Sequence, residues 1–366
     1  MIRRTKTSSR GERRRSVRSL QKLALAVFVF AVLASACGGG QTETVDETPG
    51  AGVSVTMARA NWDTGYFQAA VYRALLEELG YEVSDPAGNE LGPDEFYPRL
   101  AEGELDFWPN GWFPLHDANL AESQNGVDVG EMVTALGDSI PAGGLQGFLV
   151  DKATAEKYGI ERLDDITASD ELIALFDRNG NGLADLVGCN EGWGCNTTID
   201  ATIVANDWGT AIEQIAGEYS DLWAATVTRH QAGEPILAYT WAPSAFIIQL
   251  VPGEDVLWLS LLNPLPEQDD ATPLPPSHCP GQPCQMGFSS ADIRVVANSE
   301  FLDDNPSARR LFELVGFQLT DIAIQNFRML LGENSEDDIR SHADEWIEEN
   351  RGVMDAWLDE ARRAGS

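Results

Sequence analysis

The chain has 366 residues, of which 58 are acidic and 25 are Lys or Arg, so its formal net charge is −33 at pH 7. A surface this acidic excludes nucleic acid and anionic lipid as partners, because both are polyanions that it would repel. Hydrophobic residues make up 43% of the chain, which is enough for a large core. Since one hydrophobic core rarely extends beyond about 250–300 residues, the length predicts two lobes.

The first 36 residues have the pattern of an export signal. Nine Lys or Arg residues precede an apolar run over 23–33, which is too short to span a bilayer comfortably. The run ends in small residues followed by Cys37, the arrangement at which bacterial lipoproteins are cleaved and lipidated. We predict a lipoprotein signal peptide over 1–36, lipidation of Cys37 and a flexible tether over 37–52. The alternative is an ordinary signal peptide with a cysteine near its cleavage site.

Removal of the predicted signal peptide makes the chain more acidic. The segment contains nine basic residues and one acidic residue, so the net charge of the remainder is about −41, from 16 basic and 57 acidic residues. We interpret this charge as favouring solubility, and it does not indicate the charge of a ligand.

Four further cysteines fall into two pairs that are close in sequence, Cys189 with Cys195 and Cys279 with Cys284. In an exported chain this arrangement predicts two disulfides. The alternative is a four-cysteine metal site, but the spacings of six and five residues differ from those of short metal-binding knuckles.

The folded part begins with alternating strand and helix patterns. A β-rich run over 53–60 is followed by apolar residues at helical spacing over 67–80 and by a short strand pattern over 81–85. This order is typical of a βαβ unit and predicts a parallel sheet. A second unit leads from a helix pattern over 96–104 into a strand pattern over 105–112.

Trp112 and His116 lie just after the strand of the second unit, where open α/β sheets bind their ligands. Taken singly, a tryptophan of this kind is more often a core residue, and a histidine is more often a core or helix-capping residue. Their position nevertheless makes both candidates for a ligand site.

The remaining chain continues the α/β pattern. Seven prolines without periodicity over 263–284 predict an exposed loop, and Ser335 with Asp338 predicts a capping box at the start of a C-terminal helix. Strands, helices and helix starts are further predicted as follows: a strand beginning near 143 with a helix after it, a helix capped by Ser169, one or two helices over 201–233, a strand over 236–241 and a strand over 292–297.

Catalytic and metal-binding motifs are few. The sequence has no G-x-S-x-G, H-E-x-x-H or Walker motif and only four histidines, so we predict no enzyme activity, cofactor or catalytic residue. The segment Asp177–Asp185 (DRNGNGLAD) resembles the first nine positions of an EF-hand calcium loop, but Gly188 stands where the twelfth position needs glutamate. Calcium binding is therefore a hypothesis, and a turn that needs no ion is its alternative.

Four separated motifs carry a resemblance to a known family: GWFPLHD at 111–117, GFLVDKATAEKYGI at 147–160, LFDRNGNGLADLVGCNEGWGC at 175–195, and YTW at 239–241. From about Val53 to the C-terminus the chain resembles the substrate-binding proteins of glycine betaine/proline betaine ABC importers. The resemblance implies an α/β, two-lobed periplasmic-binding-protein fold of type II with a ligand cleft between the lobes. We predict lobe I over 53–145 plus 289–366 and lobe II over 146–288, with crossings near 143–148 and 285–290.

The resemblance also implies roles for six ligand-binding residues and for one further cysteine. Three indoles surround the quaternary ammonium of the ligand, a histidine and two backbone N–H groups hold its carboxylate, and a disulfide closes the loop between them: Trp112, Trp193 and Trp241 for the ammonium, His116, Gly194 and Cys195 for the carboxylate, and Cys189–Cys195 for the disulfide. Such residue types suit this ligand, because trimethylammonium has no N–H group to donate and is recognised by cation–π attraction and apolar contact. Three rings contribute roughly 3–6 kcal/mol.

The expected function is that of an extracytoplasmic, lipid-anchored, monomeric receptor that binds an osmoprotectant, glycine betaine or proline betaine, and delivers it to an ABC permease. The alternatives are a receptor for choline, carnitine or another zwitterion, and an exported hydrolase that uses His116. Two departures from the family pattern leave the size of the pocket, and so the choice among betaines, undetermined by the sequence. Trp108 adds an indole before a flexible Asn110-Gly111 step, and small residues follow Trp241. Cys279–Cys284 is an addition that we assign to loop stability.

Overall fold

The computed structural model describes residues 46–124 and 126–366. The predicted signal peptide over 1–36 and the predicted lipidation site Cys37 lie outside the described residues. Within the described ranges, none of the helices has the length and apolar character that a membrane span requires.

The strands are short at the N-terminus and longer in the central sheet. They are β1 (Ser54–Val55), β2 (Arg59–Ala60), β3 (Glu82–Val83), β4 (Glu90–Leu91), β5 (Phe107–Phe113), β6 (Ser123–Gln124), β7 (Val127–Asp128), β8 (Val133–Asp151), β9 (Ala184–Val187), β10 (Ile212–Ile215), β11 (Leu237–Ala242), β12 (Val256–Leu259) and β13 (Ala291–Asn298).

Helices pack around these strands. They are α1 (Thr64–Glu78), α2 (Pro93–Ala101), α3 (Asp117–Leu120), α4 (Val129–Met132), α5 (Lys152–Tyr158), α6 (Leu163–Thr167), α7 (Asp170–Phe176), α8 (Gly194–Ala205), α9 (Tyr219–Gln231), α10 (Ser299–Asp304), α11 (Pro306–Leu314), α12 (Leu319–Leu330), α13 (Glu336–Glu349) and α14 (Arg351–Ala364), with 3₁₀ turns at Pro86–Gly88, Ile247–Gln249 and Pro266–Gln268.

The long strand β8 connects two groups of strands. Its first part, 133–144, pairs with β13, which in turn pairs with β5; its second part, 145–151, pairs with β11 and β12, and β11 leads on to β9 and β10. We call these sets the first and second strand groups. The change of partner after residue 144 falls within the crossing predicted near 143–148. The predicted lobe boundaries themselves stay a prediction.

The sheet is mixed, whereas the sequence predicts a parallel one. The first βαβ unit is confirmed, since β1 and β3 pair in parallel around α1. For the second unit the prediction holds only in part: Phe107, at the start of β5, forms a parallel bridge with Met57, but along the rest of its length β5 pairs antiparallel with β13. A single strand does not specify the direction of its neighbour, and this neighbour is nearly 200 residues away in the chain.

Several local predictions are confirmed by hydrogen bonds. The hydroxyl of Ser169 accepts the backbone N–H of Leu172 at the start of α7, as an N-cap residue does. Ser335 and Asp338 form the predicted capping box at the start of α13. Gly80 has a φ of 92° just after α1, a left-handed conformation that glycine adopts without strain.

Other local predictions are corrected. The run 201–233 contains two helices, as the prediction of one or two allowed, but the four-residue strand β10 between α8 and α9 was not predicted. So short a strand at the edge of a sheet carries too little periodicity to be recognised. The predicted tether over 37–52 ends early: among its described residues, Gly50 donates its backbone N–H to the carbonyl of Leu79, and Arg362 donates to the carbonyl of Glu47.

The proline-rich segment 263–284 has no long helix or strand, as predicted, but it is not fully exposed. Gln268, Thr272, Cys279 and Cys284 are buried, and the amide oxygen of Gln268 accepts the backbone N–H of Ser289 at 2.8 Å. The segment therefore packs onto the domain through a few inward-facing side chains.

Candidate ligand-binding site

One pocket is lined by all six residues that the sequence predicts for the ligand. It contains about 320 Å³ of space not filled by atoms, open solvent included. Its lining comprises the predicted Trp112, His116, Trp193, Gly194, Cys195 and Trp241, and in addition Trp62, Pro93, Leu115, Gln146 and Tyr239.

The pocket lies where the two strand groups face each other. Trp112 is near the end of β5 in the first group, and His116 follows that strand by three residues. Trp241 belongs to β11 in the second group, while Trp193 and Gly194 lie at the start of α8, after β9 of the same group. In both strand groups, the residues that line the pocket thus lie at or just beyond the ends of strands, as is general for open α/β sheets.

Three of the indoles pack against one another edge to face. The ring of Trp193 lies 5.2 Å from that of Trp62 at an interplanar angle of 69°, and 5.7 Å from that of Trp241 at 80°. Edge-to-face packing stabilises a cluster of rings while it leaves their faces pointing in different directions. Such faces can surround a small cation.

Each indole of the pocket is oriented by a hydrogen bond from its Nε1–H group. Trp62 and Trp112 both donate to Oδ1 of Asn110, at 2.8 and 2.9 Å. Trp193 donates to Oδ1 of Asn61 at 2.8 Å, and Trp241 donates to Oγ1 of Thr64 at 3.3 Å. Because these N–H groups are already bonded, the rings present mainly their π faces and carbon edges to a ligand.

Trp62 is a lining residue that the sequence analysis missed. It lies two residues after the end of β2 and just before α1. Trp112 was identified by a similar position near the end of a strand. Applying that rule to the first βαβ unit would have found it. Tyr239 and Gln146 were also missed; they pair across the sheet through a bond from the tyrosine hydroxyl to the amide oxygen at 2.7 Å, and no sequence motif indicates them.

Trp108 does not line the pocket. It is fully buried, stacks on Phe96 with ring centroids 3.8 Å apart, and contacts Trp62 edge to face at 5.3 Å. The expectation of a flexible Asn110-Gly111 step is also wrong, because both residues lie within the wholly buried strand β5. Trp108 and Asn110 therefore support the pocket from behind.

His116 is a buried, neutral hydrogen-bond donor. The backbone N–H of Trp112 donates to Nδ1 of His116 at 3.2 Å, so Nδ1 must be the unprotonated nitrogen and Nε2 carries the hydrogen. Burial lowers the pKa of His116 to about 3, which keeps the imidazole uncharged at pH 7. A neutral Nε2–H group can donate to a carboxylate.

The start of α8 supplies the other donors. Its first residues are Gly194 and Cys195, and Trp193 provides no side-chain cap. The first N–H groups of a helix have no acceptor within the helix and favour a bound anion. A Cβ atom added to Gly194 would lie 2.9 Å from Cγ of Leu115 and 3.5 Å from Cδ2 of His116, so glycine lets this backbone approach the histidine.

Both pairs of cysteines form disulfides, Cys189–Cys195 and Cys279–Cys284. The first closes the loop that carries Trp193 and fixes the start of α8; the second lies in the proline-rich segment, and neither of its cysteines lines the pocket. The four-cysteine metal site is thereby excluded. No group of three or more His, Cys, Asp or Glu among the described residues is arranged to hold a metal ion.

The Asp177–Asp185 turn is closed by its own hydrogen bonds. The carboxylate of Asp177 accepts the backbone N–H groups of Gly180, Asn181 and Gly182. The amide of Asn179 donates to Glu213 on β10 at 2.7 Å. These contacts favour the alternative of an Asx-rich turn that needs no ion, and the turn lies outside the pocket.

Comparison with known proteins is consistent with this geometry. Residues 53–349 match the family model described as the substrate binding domain of ABC-type glycine betaine transport systems. The chain is 36% identical over 330 residues to the glycine betaine-binding periplasmic protein OusX of Dickeya dadantii (strain 3937). It is 34% identical over 324 residues to the glycine betaine/proline betaine-binding periplasmic protein of Escherichia coli (strain K12). Each alignment covers 87% of this chain and 93% of the relative.

Solved structures share the fold. Lactococcal OpuAC in its closed conformation with glycine betaine has a TM-score of 0.61 at 16% identity, covering 84% of this chain and 99% of that one. An ABC-transporter choline-binding protein in complex with choline has a TM-score of 0.64 at 16% identity, covering 85% and 96%. At this identity the likeness establishes the fold alone, and it confirms the predicted two-lobed α/β architecture.

Proposed function

The chain belongs to the family of substrate-binding domains of ABC-type glycine betaine transport systems, and on this premise we propose that it is an extracytoplasmic receptor that binds glycine betaine or proline betaine and delivers it to an ABC permease. One observation carries the proposal. The three indoles, the histidine and the two backbone donors expected for such a ligand line a single pocket.

The cation half of the proposed site consists of Trp112, Trp193 and Trp241, with Trp62 as a fourth indole. All four are more than 90% buried, so a cation between them would be largely desolvated, and desolvation strengthens cation–π attraction to ~1–2 kcal/mol per ring. Neither Asp nor Glu is among the lining residues. Recognition of the ammonium would therefore rest on the rings.

The anion half consists of the Nε2–H group of His116 and the backbone N–H groups of Gly194 and Cys195. Hydrogen bonds to a charged group contribute about 1.5–3 kcal/mol each before ordering costs. Together with the rings they make micromolar affinity, ~−8 kcal/mol, attainable. The Cys189–Cys195 disulfide supports this half, because it holds the second donor residue in place.

A zwitterion fits the pocket better than choline does. Choline has no carboxylate, so it would leave the N–H donors of His116 and the start of α8 without a charged acceptor, and unmet buried donors weaken binding. A hydrolase is disfavoured by the same histidine: its Nδ1 already accepts the Trp112 N–H and its Nε2 is protonated, so neither nitrogen can act as a general base.

The proposal extends to the way the receptor is held outside the cytoplasm. Export is supported by the family and by the two disulfides, which form in oxidising compartments. We propose that Cys37 carries the lipid anchor and that the receptor acts as a monomer. Mass spectrometry of the membrane fraction should detect acylated Cys37, and Cys37→Ser should release the protein from the membrane; full retention of the variant would contradict the anchor.

The ligand assignment is tested by calorimetry with glycine betaine, proline betaine, carnitine and choline. Glycine betaine or proline betaine should bind most tightly. If choline bound more tightly than either betaine, the proposed role of His116 and the start of α8 in holding a carboxylate would be wrong. Hydrolysis of an ester of choline or carnitine, lost in His116→Ala, would instead support the hydrolase.

A further inference from the structure

Residues 61–64, between β2 and the start of α1, connect the two strand groups beside the pocket. The side chains of Asn61, Asp63 and Thr64 form hydrogen bonds to residues of the second group more than 130 positions away in the chain. Trp62 packs edge to face against Trp193. Asn61 accepts the indole N–H of Trp193 at 2.8 Å. Thr64 accepts the indole N–H of Trp241 at 3.3 Å and donates its hydroxyl hydrogen to the carbonyl of Pro243 at 2.6 Å.

Asp63 makes the third connection. It is the N-cap of α1, where one carboxylate oxygen accepts the backbone N–H of Thr64 at 2.9 Å. The other oxygen accepts the backbone N–H of Ala245, just after β11. Burial raises the pKa of Asp63 to about 6, so the carboxylate remains mostly ionised at pH 7 and both bonds are charge-assisted.

We propose that residues 61–64 form a closure latch and that Asp63 is a positioning residue, which retains the ligand by tying the start of α1 to the Ala245 backbone when the cleft closes. This inference rests on the proposed function. Opening of the cleft by a hinge motion would separate the two strand groups and break the bonds to Trp193, Trp241, Pro243 and Ala245 together. The four indoles of the cation half, which we call the cation box, would then lose the hydrogen bonds that orient two of them.

The latch stores part of the binding free energy in contacts that do not touch the ligand. A ligand stabilises the closed form only by its preferential affinity for that form, and the latch adds to the stability of the same form. Weakening the latch should therefore shorten the lifetime of the complex. It should leave the initial encounter with the open cleft unchanged, because the latch bonds are absent at that stage.

Asp63→Asn is the test variant. Asparagine is still a good N-cap, but its NH2 group takes the place of one of the two carboxylate oxygens. An NH2 group cannot accept a hydrogen bond, so one of the two bonds is lost. We expect the dissociation rate of glycine betaine, measured by stopped-flow tryptophan fluorescence, to rise about tenfold, which corresponds to ~1.4 kcal/mol. The association rate and the melting temperature of the ligand-free protein should stay unchanged. Asn61→Ala should act in the same direction.

Asp151→Asn is the matched control. Asp151 is also an N-cap, of α5, and its second oxygen accepts the backbone N–H of Ile236 at 3.0 Å, but all its partners lie in the second strand group. Its substitution should lower the melting temperature of the ligand-free protein and leave the dissociation rate within about twofold of the wild type.

The outcomes separate the latch from the ligand assignment. If wild-type protein binds glycine betaine and Asp63→Asn keeps the wild-type dissociation rate, the latch is wrong and the proposed function stands. The latch is also overturned if Asp63→Asn lowers the melting temperature of the ligand-free protein as much as Asp151→Asn does and does not selectively change the dissociation rate. Asp63 would then have only a structural role. Absence of wild-type binding overturns both proposals.

Discussion

Replacement of Trp193 should weaken ligand binding in two distinguishable steps. Its ring forms one wall of the proposed cation box, and its Nε1–H group bonds to Asn61. Loss of one desolvated cation–π contact removes ~1–2 kcal/mol, and loss of the hydrogen bond removes a further 0.5–1.5 kcal/mol or so, about the typical net value. Trp193→Ala should therefore raise the Kd for glycine betaine by roughly tenfold to 300-fold.

Trp193→Phe isolates the second step. Phenylalanine keeps a smaller aromatic face for the cation and cannot donate the hydrogen bond, so its Kd should rise by about twofold to tenfold. In an Asn61→Ala background the same change should have a smaller effect, because the acceptor of the bond is already gone and only the reduction of the ring remains. This double-mutant cycle measures the coupling between the box and the segment 61–64.

Calorimetry gives these affinities, and Trp357 provides the control. This residue is half-buried on α14 and packs against the core outside the pocket, so Trp357→Phe should leave the Kd within about twofold of the wild type. A Trp193→Ala variant that binds glycine betaine as tightly as the wild type would refute the cation box. Equal losses in the Trp193 and Trp357 variants would show that the effect is general destabilisation.

Two further predictions concern the disulfides and the buried histidine. Replacing both cysteines of Cys189–Cys195 by serine should lower the free energy of unfolding by ~2–3 kcal/mol and also raise the Kd for glycine betaine. The same change at Cys279–Cys284 should lower the free energy of unfolding and leave the Kd unchanged. Identical affinities for the two double variants would contradict the proposed role of Cys189–Cys195 in ligand binding. Burial lowers the pKa of His116 to about 3, from about 6.5 in the unfolded chain. The neutral histidine therefore contributes fully to the free energy of unfolding above about pH 6.5, and this contribution is lost as the pH falls towards 3. The total loss is on the order of 5 kcal/mol. Denaturant unfolding at pH 7, 5 and 4 should show this loss relative to His116→Asn, and parallel pH profiles for the two proteins would refute it.

Local signals in the sequence predicted the ends of several helices and marked Trp112 and His116 as candidates, whereas the roles of the other pocket residues came from the resemblance to a known family. Ser169, Gly80 and the Ser335–Asp338 pair act over a few neighbouring positions, so their effect does not depend on the rest of the fold. Trp112 lies at the end of a strand and His116 follows it, and strand ends converge at one edge of a sheet. Such features can be recognised without knowledge of distant contacts.

Features that depend on distant partners could not be predicted. The antiparallel pairing of β5 with β13 joins segments nearly 200 residues apart, and the four-residue strand β10 is too short for its periodicity to be recognised. The role of Asn110, which holds Trp62 and Trp112 through one oxygen atom, appears only when the three side chains are seen together. The sequence instead indicated a flexible Asn-Gly step, because that dipeptide favours turns when a strand does not bury it.

The contacts of Asp63 illustrate the same limit. Aspartate is among the residues preferred at an N-cap, but nothing in the sequence marks the second oxygen of Asp63 as a partner for Ala245. The bond exists because two strand groups, joined by β8, face each other across the pocket. The inference of a latch therefore comes from the three-dimensional arrangement alone.

The most direct test of the central claim is calorimetric titration of the purified protein with glycine betaine, followed by choline, which lacks the carboxylate, and by glycine, which lacks the methyl groups. Our account predicts micromolar binding of glycine betaine, ~−8 kcal/mol, with both analogues at least tenfold weaker. Millimolar or weaker binding of glycine betaine, or choline as the tighter ligand, would contradict it.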